Sequence, residues 1–173
     1  PDAYPGVYFS AGIHPWHIAS TDPMSLTSQL SRIAESPQQL AIGECGLDKL
    51  TDTPIDIQIT IFKQQIEIAE NSKKPMIIHC VKAFNELIKL RKETAARQEW
   101  IIHGFRGKPQ LATELIQHGF RISIGHRLFL ETDDSNIDIE TVYRQIAEIR
   151  QIPENELIIS IGTNFSELFD LSR

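Results

Sequence analysis

With 173 residues, 41% of them hydrophobic, and a formal net charge of −6, the chain has the size of one compact domain, residues 1–173, with a sizeable core. The acidic balance excludes a broad basic face that grips nucleic acid by neutralising phosphates, but leaves open a protein that meets phosphates through bound metal ions. No apolar run reaches the length of a membrane span, the opening PDAYPGVYFS lacks the layout of a secretory signal, and Cys45 and Cys80 are too few for a disulfide framework. A reduced, cytoplasmic protein with no membrane contact is expected, and nothing in the sequence predicts an oligomer.

Taken in chain order, GVYFSAGI (6–13) reads as a first strand. Asp22 and Pro23 then cap and open a helix whose Leu26, Leu30 and Ile33 keep helical spacing up to Pro37. QLAIG (39–43) is a second strand, followed by TPIDIQITIFKQQIEIAENS (53–72), where Ile55, Ile59, Phe62, Ile66 and Ala69 form one apolar stripe. PMIIH (75–79) and EWIIH (99–103) flank a helix marked by Phe84, Leu87 and Ile88, and Leu111, Leu115 and Ile116 mark another. GFRISIG (119–125) and RLFLET (127–132) complete six strands. A fifth helix carries Ile139, Val142, Tyr143, Ile146 and Ile149; Pro153 opens a short one, and Asn164 with Glu167 forms a capping pair for a terminal one. Strands alternating with helices imply parallel βαβ units, and runs such as MII and LFL suit strands covered on both faces. The class is α/β.

Five of these six strands end in a side chain that can hold a metal: His14, Glu44, His79, His103 and, just beyond LFLE, Asp133. Histidine, aspartate and glutamate together supply 29 of the 173 residues, so the clustering exceeds chance. In parallel α/β folds the carboxyl ends of the strands collect on one rim, where residues distant in sequence meet. Imidazole and carboxylate ligands suit zinc, manganese or iron. A single histidine at a strand end is more often an ordinary hydrogen-bonded residue, and His118 and His126 belong in that class. Glu44 alone could pair with a basic side chain, and Asp133 alone could cap the next helix. No structural need repeats across Glu44, His79, His103 and Asp133 together, so these four are expected to be metal ligands. Glu44, His79 and His103 by themselves make a His₂Glu set with room for water. His14 stands between a substrate contact and a structural residue. Cys45 and Cys80 neighbour Glu44 and His79 on their strands and are expected to face the helices as small buried fillers.

The segments SAGIHPW, AIGECGLD, PMIIHC, IIHGFRG and RLFLETDDS, in that order, resemble the TatD family of metal-dependent deoxyribonucleases, which are (β/α)₈ TIM-type barrels with a two-metal site. The terminal ENELIISIGTNFSELF resembles that family's closing helices. The resemblance implies two divalent ions, zinc, manganese or magnesium, bridged by Glu44. It implies that His79 and His103 complete one site, and that Asp133 serves the other and helps activate the attacking water. His14, Arg106 and Lys108 would then lie near substrate phosphate, and DNA or a small phosphodiester would be the substrate. The family's first-strand His-x-His pair, which supplies two ligands of one metal site, has no counterpart before Val7, so two ions or only one are expected for the chain as it stands. A parallel connection also cannot fit between Gly125 and His126, because such crossovers need a dozen or more residues. The expectation is a chain lacking segments at its start and at that junction; a catalytically degenerate barrel acting as an interaction module is the rival. A hydrolase of a small phosphoester or amide on the same barrel is the other alternative.

Overall fold

A computed structural model describes residues 7–20, 23–123 and 138–169. Five strands form one parallel sheet in sequential order: β1 (Phe9–Ala11), β2 (Gln39–Asp48), β3 (Met76–Val81), β4 (Trp100–Ile102) and β5 (Phe120–Ile122). Each is joined to the next through a helix: α1 (Pro23–Ile33), preceded by a 3-10 helix over Pro15–Ser20, then α2 (Ile55–Ser72), α3 (Phe84–Thr94) and α4 (Pro109–Gln117). Strand neighbours that are also chain neighbours, all parallel and all joined by helices, are the arrangement expected of an α/β barrel wall. RLFLET, His126 and Asp133 lie outside the described residues. Among the described residues no helix is long and apolar enough to cross a membrane.

The core lies between the sheet and α1–α4. Trp100 on β4 is fully buried, with Phe62 of α2 at 5.3 Å and Phe120 of β5 at 5.7 Å between ring centroids. Ile42, Ile78, Ile102, Leu87 and Leu115 are buried around it. Each such side chain contributes about 1.5–3 kcal/mol by leaving water. Register follows the apolar runs: Met76, Ile77 and Ile78 of β3 pair with Trp100, Ile101 and Ile102 of β4.

Of the boundaries that differ from the sequence reading, which include a β1 of only three residues and a β3 that runs past His79 to Val81, two change the layout most. β2 does not stop after QLAIG but continues to Asp48, with its register on β3 shifting between Ile42 and Cys45. Glu44 therefore sits inside the strand, at the irregularity, not beyond its end. The glycines permit this: a Cβ at Gly46, whose φ is +139°, would collide with the carbonyl oxygen of His79 on β3. At the other end of the chain, α5 (Ile139–Arg150) is followed by one continuous helix, α6 (Glu154–Phe169), rather than a short helix and a separate terminal one. Asn164 and Glu167 thus lie inside α6. Leu157 and Ile161 keep helical spacing toward a small cluster of Val142, Ile146 and Ala147, and a helical Gly162 costs only about 1 kcal/mol relative to alanine.

Candidate metal centre

The carboxyl ends of β1 to β4 deliver four of the expected side chains to one cavity of about 1050 Å³. His14 follows β1, Glu44 lies on β2, His79 on β3, and His103 directly follows β4. Glu44 stands at the centre of this group. One carboxylate oxygen lies 2.8 Å from His103 Nε2 and the other 3.5 Å from His14 Nε2. The rings of His14 and His79 are 4.4 Å apart. His14, Glu44 and His79 each offer one ligand atom, and these atoms lie within 4.8 Å of one another. Two imidazoles and a carboxylate converging at this spacing fit a divalent ion of the zinc or manganese type. The second Glu44 oxygen, turned to His103, gives that carboxylate the layout of a bridge.

The electrostatics keep His14 and Glu44 in ligand form. Burial, reinforced by the neighbouring His79, lowers the pKa of His14 to about 4, against the opposing pull of Glu44, so the ring is neutral at physiological pH. The hydrogen bond from His103 outweighs desolvation and holds Glu44 below the usual carboxylate range. Of the two thiols, Cys45 is the buried filler expected from the sequence. Burial pushes Cys80 up to about 12 and Cys45 higher still. Cys45 is wholly buried, whereas Cys80 is part-buried and reaches the cavity wall.

Four residues that the sequence reading did not single out hold this arrangement. Asp48, at the end of β2 and 3% exposed, places Oδ2 3.0 Å from His79 Nε2 and accepts the Trp16 indole N–H at 2.7 Å. Its Oδ1 accepts the Leu50 N–H at 2.7 Å. Burial pushes its carboxyl up, but these bonds together hold it below its ordinary value. An ionised Asp48 offers an acceptor to a proton on His79 Nε2 and so orients the ring. Behind the rim, two fully buried glutamines of α2 grip the strand ends. Gln65 accepts the Ile13 N–H at 2.7 Å and donates to the Ile13 carbonyl at 3.1 Å, fixing the residue before His14. Gln58 accepts the Asp48 N–H at 2.7 Å and donates to the carbonyls of Asp48 and Thr53. The signals were present in the sequence. Glu44, Gly46 and Asp48 share a strand face at i, i+2, i+4, and Gln58 and Gln65 are polar letters on the apolar stripe of α2.

Arg106, in the exposed loop after β4, lines the cavity; Lys108, also exposed, immediately precedes α4 and does not. His118 sits at the C-terminal end of α4, away from the cavity lining, in keeping with an ordinary residue.

The sequence model of the TatD-related DNase family matches residues 2–138. The chain belongs to this family. An uncharacterized metal-dependent hydrolase of Buchnera aphidicola, BU355, is 29% identical over 170 residues, which cover 94% of this chain and 61% of that protein. A protein of Erwinia tasmaniensis named 3′-5′ ssDNA/RNA exonuclease TatD is 34% identical over 111 residues, 62% of this chain and 42% of that protein. The crystal structure of YjjV, a TatD homologue of Escherichia coli, superposes with a TM-score of 0.79 at 21% identity, covering 97% of this chain and 78% of YjjV. That likeness places the parallel sheet and its helices in the same α/β fold. The TatD-family chain thus spans about three-fifths of the length of BU355.

Proposed function

We propose that this TatD-family chain carries the metal-binding rim of a hydrolase that cleaves phosphodiester bonds in single-stranded nucleic acid, DNA first. The observation that carries the reading is Glu44, whose two oxygens face His14 on one side and His103 on the other. Glu44, His79 and His103 would hold divalent metal, two ions of zinc, manganese or magnesium in the whole site, with Asp133 serving the second. His14, expected from the resemblance beside substrate phosphate, is reassigned here to the ligand cluster because its ring nitrogen shares the cluster with Glu44 and His79. Bound metal supplies a water acidic enough to ionise near neutral pH and positive charge for the phosphoryl oxygens. The chain's own residues do the rest. Glu44 orients the ligand set, Asp48 orients the His79 ring, Asp133 accepts the proton of the attacking water, and Arg106 at the cavity wall, with Lys108 outside the lining, meets substrate phosphate.

The test pairs native mass spectrometry with hydrolysis of a single-stranded oligonucleotide. His103→Ala is expected to lose metal and to abolish turnover while far-UV circular dichroism stays unchanged. Retained turnover at matched metal loading would refute the role of His103. Faster hydrolysis of a small chromogenic phosphodiester than of any oligonucleotide would move the substrate class to small phosphoesters.

A further inference from the structure

Trp16 is the large aromatic of the rim, and its environment is unusual for a structural tryptophan. Its side chain lines the cavity yet is 61% exposed, whereas Trp100 is fully buried. Its one polar atom, Nε1–H, is spent on Asp48 at 2.7 Å, and Asp48 is itself held by His79 and by the Leu50 N–H. The ring is further braced edge-on by His14 at 5.0 Å and His79 at 5.7 Å between centroids. A side chain whose polar handle is tied down and whose remaining surface faces a cavity offers a fixed π surface. Such a surface meets a flat, apolar partner at little cost in entropy.

The charge balance makes this surface matter. A net charge of −6 gives no broad basic field to draw in a polyanion. Affinity for a nucleic acid must then come from contacts at the site, and stacking on aromatic rings supplies it without regard to base identity. The ring stands beside two of the candidate ligands, within reach of a base attached to a phosphate at the metal centre.

We infer that Trp16 is the stacking platform for an unpaired nucleobase next to the scissile phosphate, positioned by Asp48; this rests on the nuclease reading above. It makes the site selective for single strands, since a base stacked in a duplex is not available to the ring, and tolerant of sequence.

The experiment uses a single-stranded oligothymidylate and an abasic oligomer of the same length, each with the metal-loaded protein. Because Trp100 is buried, intrinsic fluorescence quenching on binding reports Trp16. Oligothymidylate is expected to quench, the abasic oligomer not to, and Trp16→Leu to remove the response. In kinetics, Trp16→Leu should raise KM for oligothymidylate by roughly five- to a hundredfold, the range that loss of one stacked base produces, with the effect falling on KM rather than kcat. The wild-type preference for base-bearing over abasic substrate should collapse in the same variant. Trp16→Phe, which keeps a π face but loses the bond to Asp48, should stay within about threefold of wild type in KM, inside the range of a modest orientation loss. Hydrolysis of both oligomers with equal KM, or a fall in kcat alone in Trp16→Leu, would overturn the stacking role and leave the nuclease reading standing. A wild-type protein that hydrolyses neither oligomer would overturn both.

Discussion

On the β1–β3 side of the rim, the segments that carry His14, Glu44 and Asp48 are tied to α2 by buried bonds through Gln65 and Gln58, and to β3 by a part-buried bond through His79. On the other side, after β4, the loop Gly104–Lys108 is anchored through Phe105, which is buried, bonds its N–H to the Ser123 carbonyl at 2.9 Å and packs its ring on Phe84. Beyond that anchor Arg106, Gly107 and Lys108 are exposed. The contrast separates two tasks. On the proposed reading, ligand atoms must stand within a few tenths of an ångström of their places, which a strand clamped from behind provides. Cations proposed to meet a phosphate act over longer distances, and for them a loop fixed at its base suffices.

The contrast can be broken most forcefully at its centre. Glu44→Gln should lower kcat for single-stranded oligonucleotide by roughly 10²–10⁴-fold, with an unchanged circular dichroism spectrum; a loss of only a few-fold would remove Glu44 from the reaction. Next in size is the clamp. Gln58→Leu removes the partner of the buried Asp48 N–H and one donor each from the carbonyls of Asp48 and Thr53, and since an unsatisfied buried group costs about 1–3 kcal/mol, urea denaturation should show a loss of about 2 kcal/mol. A variant as stable as wild type would mean that the strand end holds itself. On the loop side, Arg106→Ala should leave stability within about 0.5 kcal/mol. Its effect should appear as a raised KM, with the salt dependence of oligonucleotide binding made shallower by about 0.7 in log–log slope.

The clamped side also carries a pH signature. In metal-free protein, unfolded His14 takes up a proton near pH 6.5, whereas folded His14 stays neutral down to about pH 4. The unfolded state therefore binds more protons across that window, and stability falls as pH is lowered through it. His14→Gln should flatten that slope by at most about one proton, read from urea midpoints across the window. A slope unchanged by the substitution would show that His14 titrates alike in the folded and unfolded protein.

The sequence was most readable where one physical constraint acts alone. The stripe of α2, the strands MII and WII, and the convergence of histidine and glutamate side chains at one rim follow from periodicity and from the geometry of parallel sheets, and His14, Glu44, His79 and His103 line one cavity. It was less readable where constraints overlap. The strand signal of β2 fades at Gly43 because glycines replace β-branched residues there, yet the same glycines let β3 approach and carry the strand on to Asp48. Gln58 and Gln65 look like surface letters because glutamine is usually exposed; their burial depends on backbone groups of distant segments, which no local window contains. The continuous α6 was missed because Asn164 and Glu167 imitate a helix start in the middle of one.

The two glutamines of α2 also set a rule of length. They are seven residues apart, close to two helical turns, so they project from one side of the helix about 10 Å apart along its axis. That spacing is a ruler cut to the distance between the segment before His14 and the end of β2. Solvent-facing letters between them, such as Thr60 and Lys63, are free to change, but their number is not. One inserted residue would rotate one glutamine by about 100° relative to the other, releasing a strand end while every ligand kept its place in the sequence. Drift in this family is thus expected to be permissive of substitution along α2 and intolerant of insertion or deletion between Gln58 and Gln65.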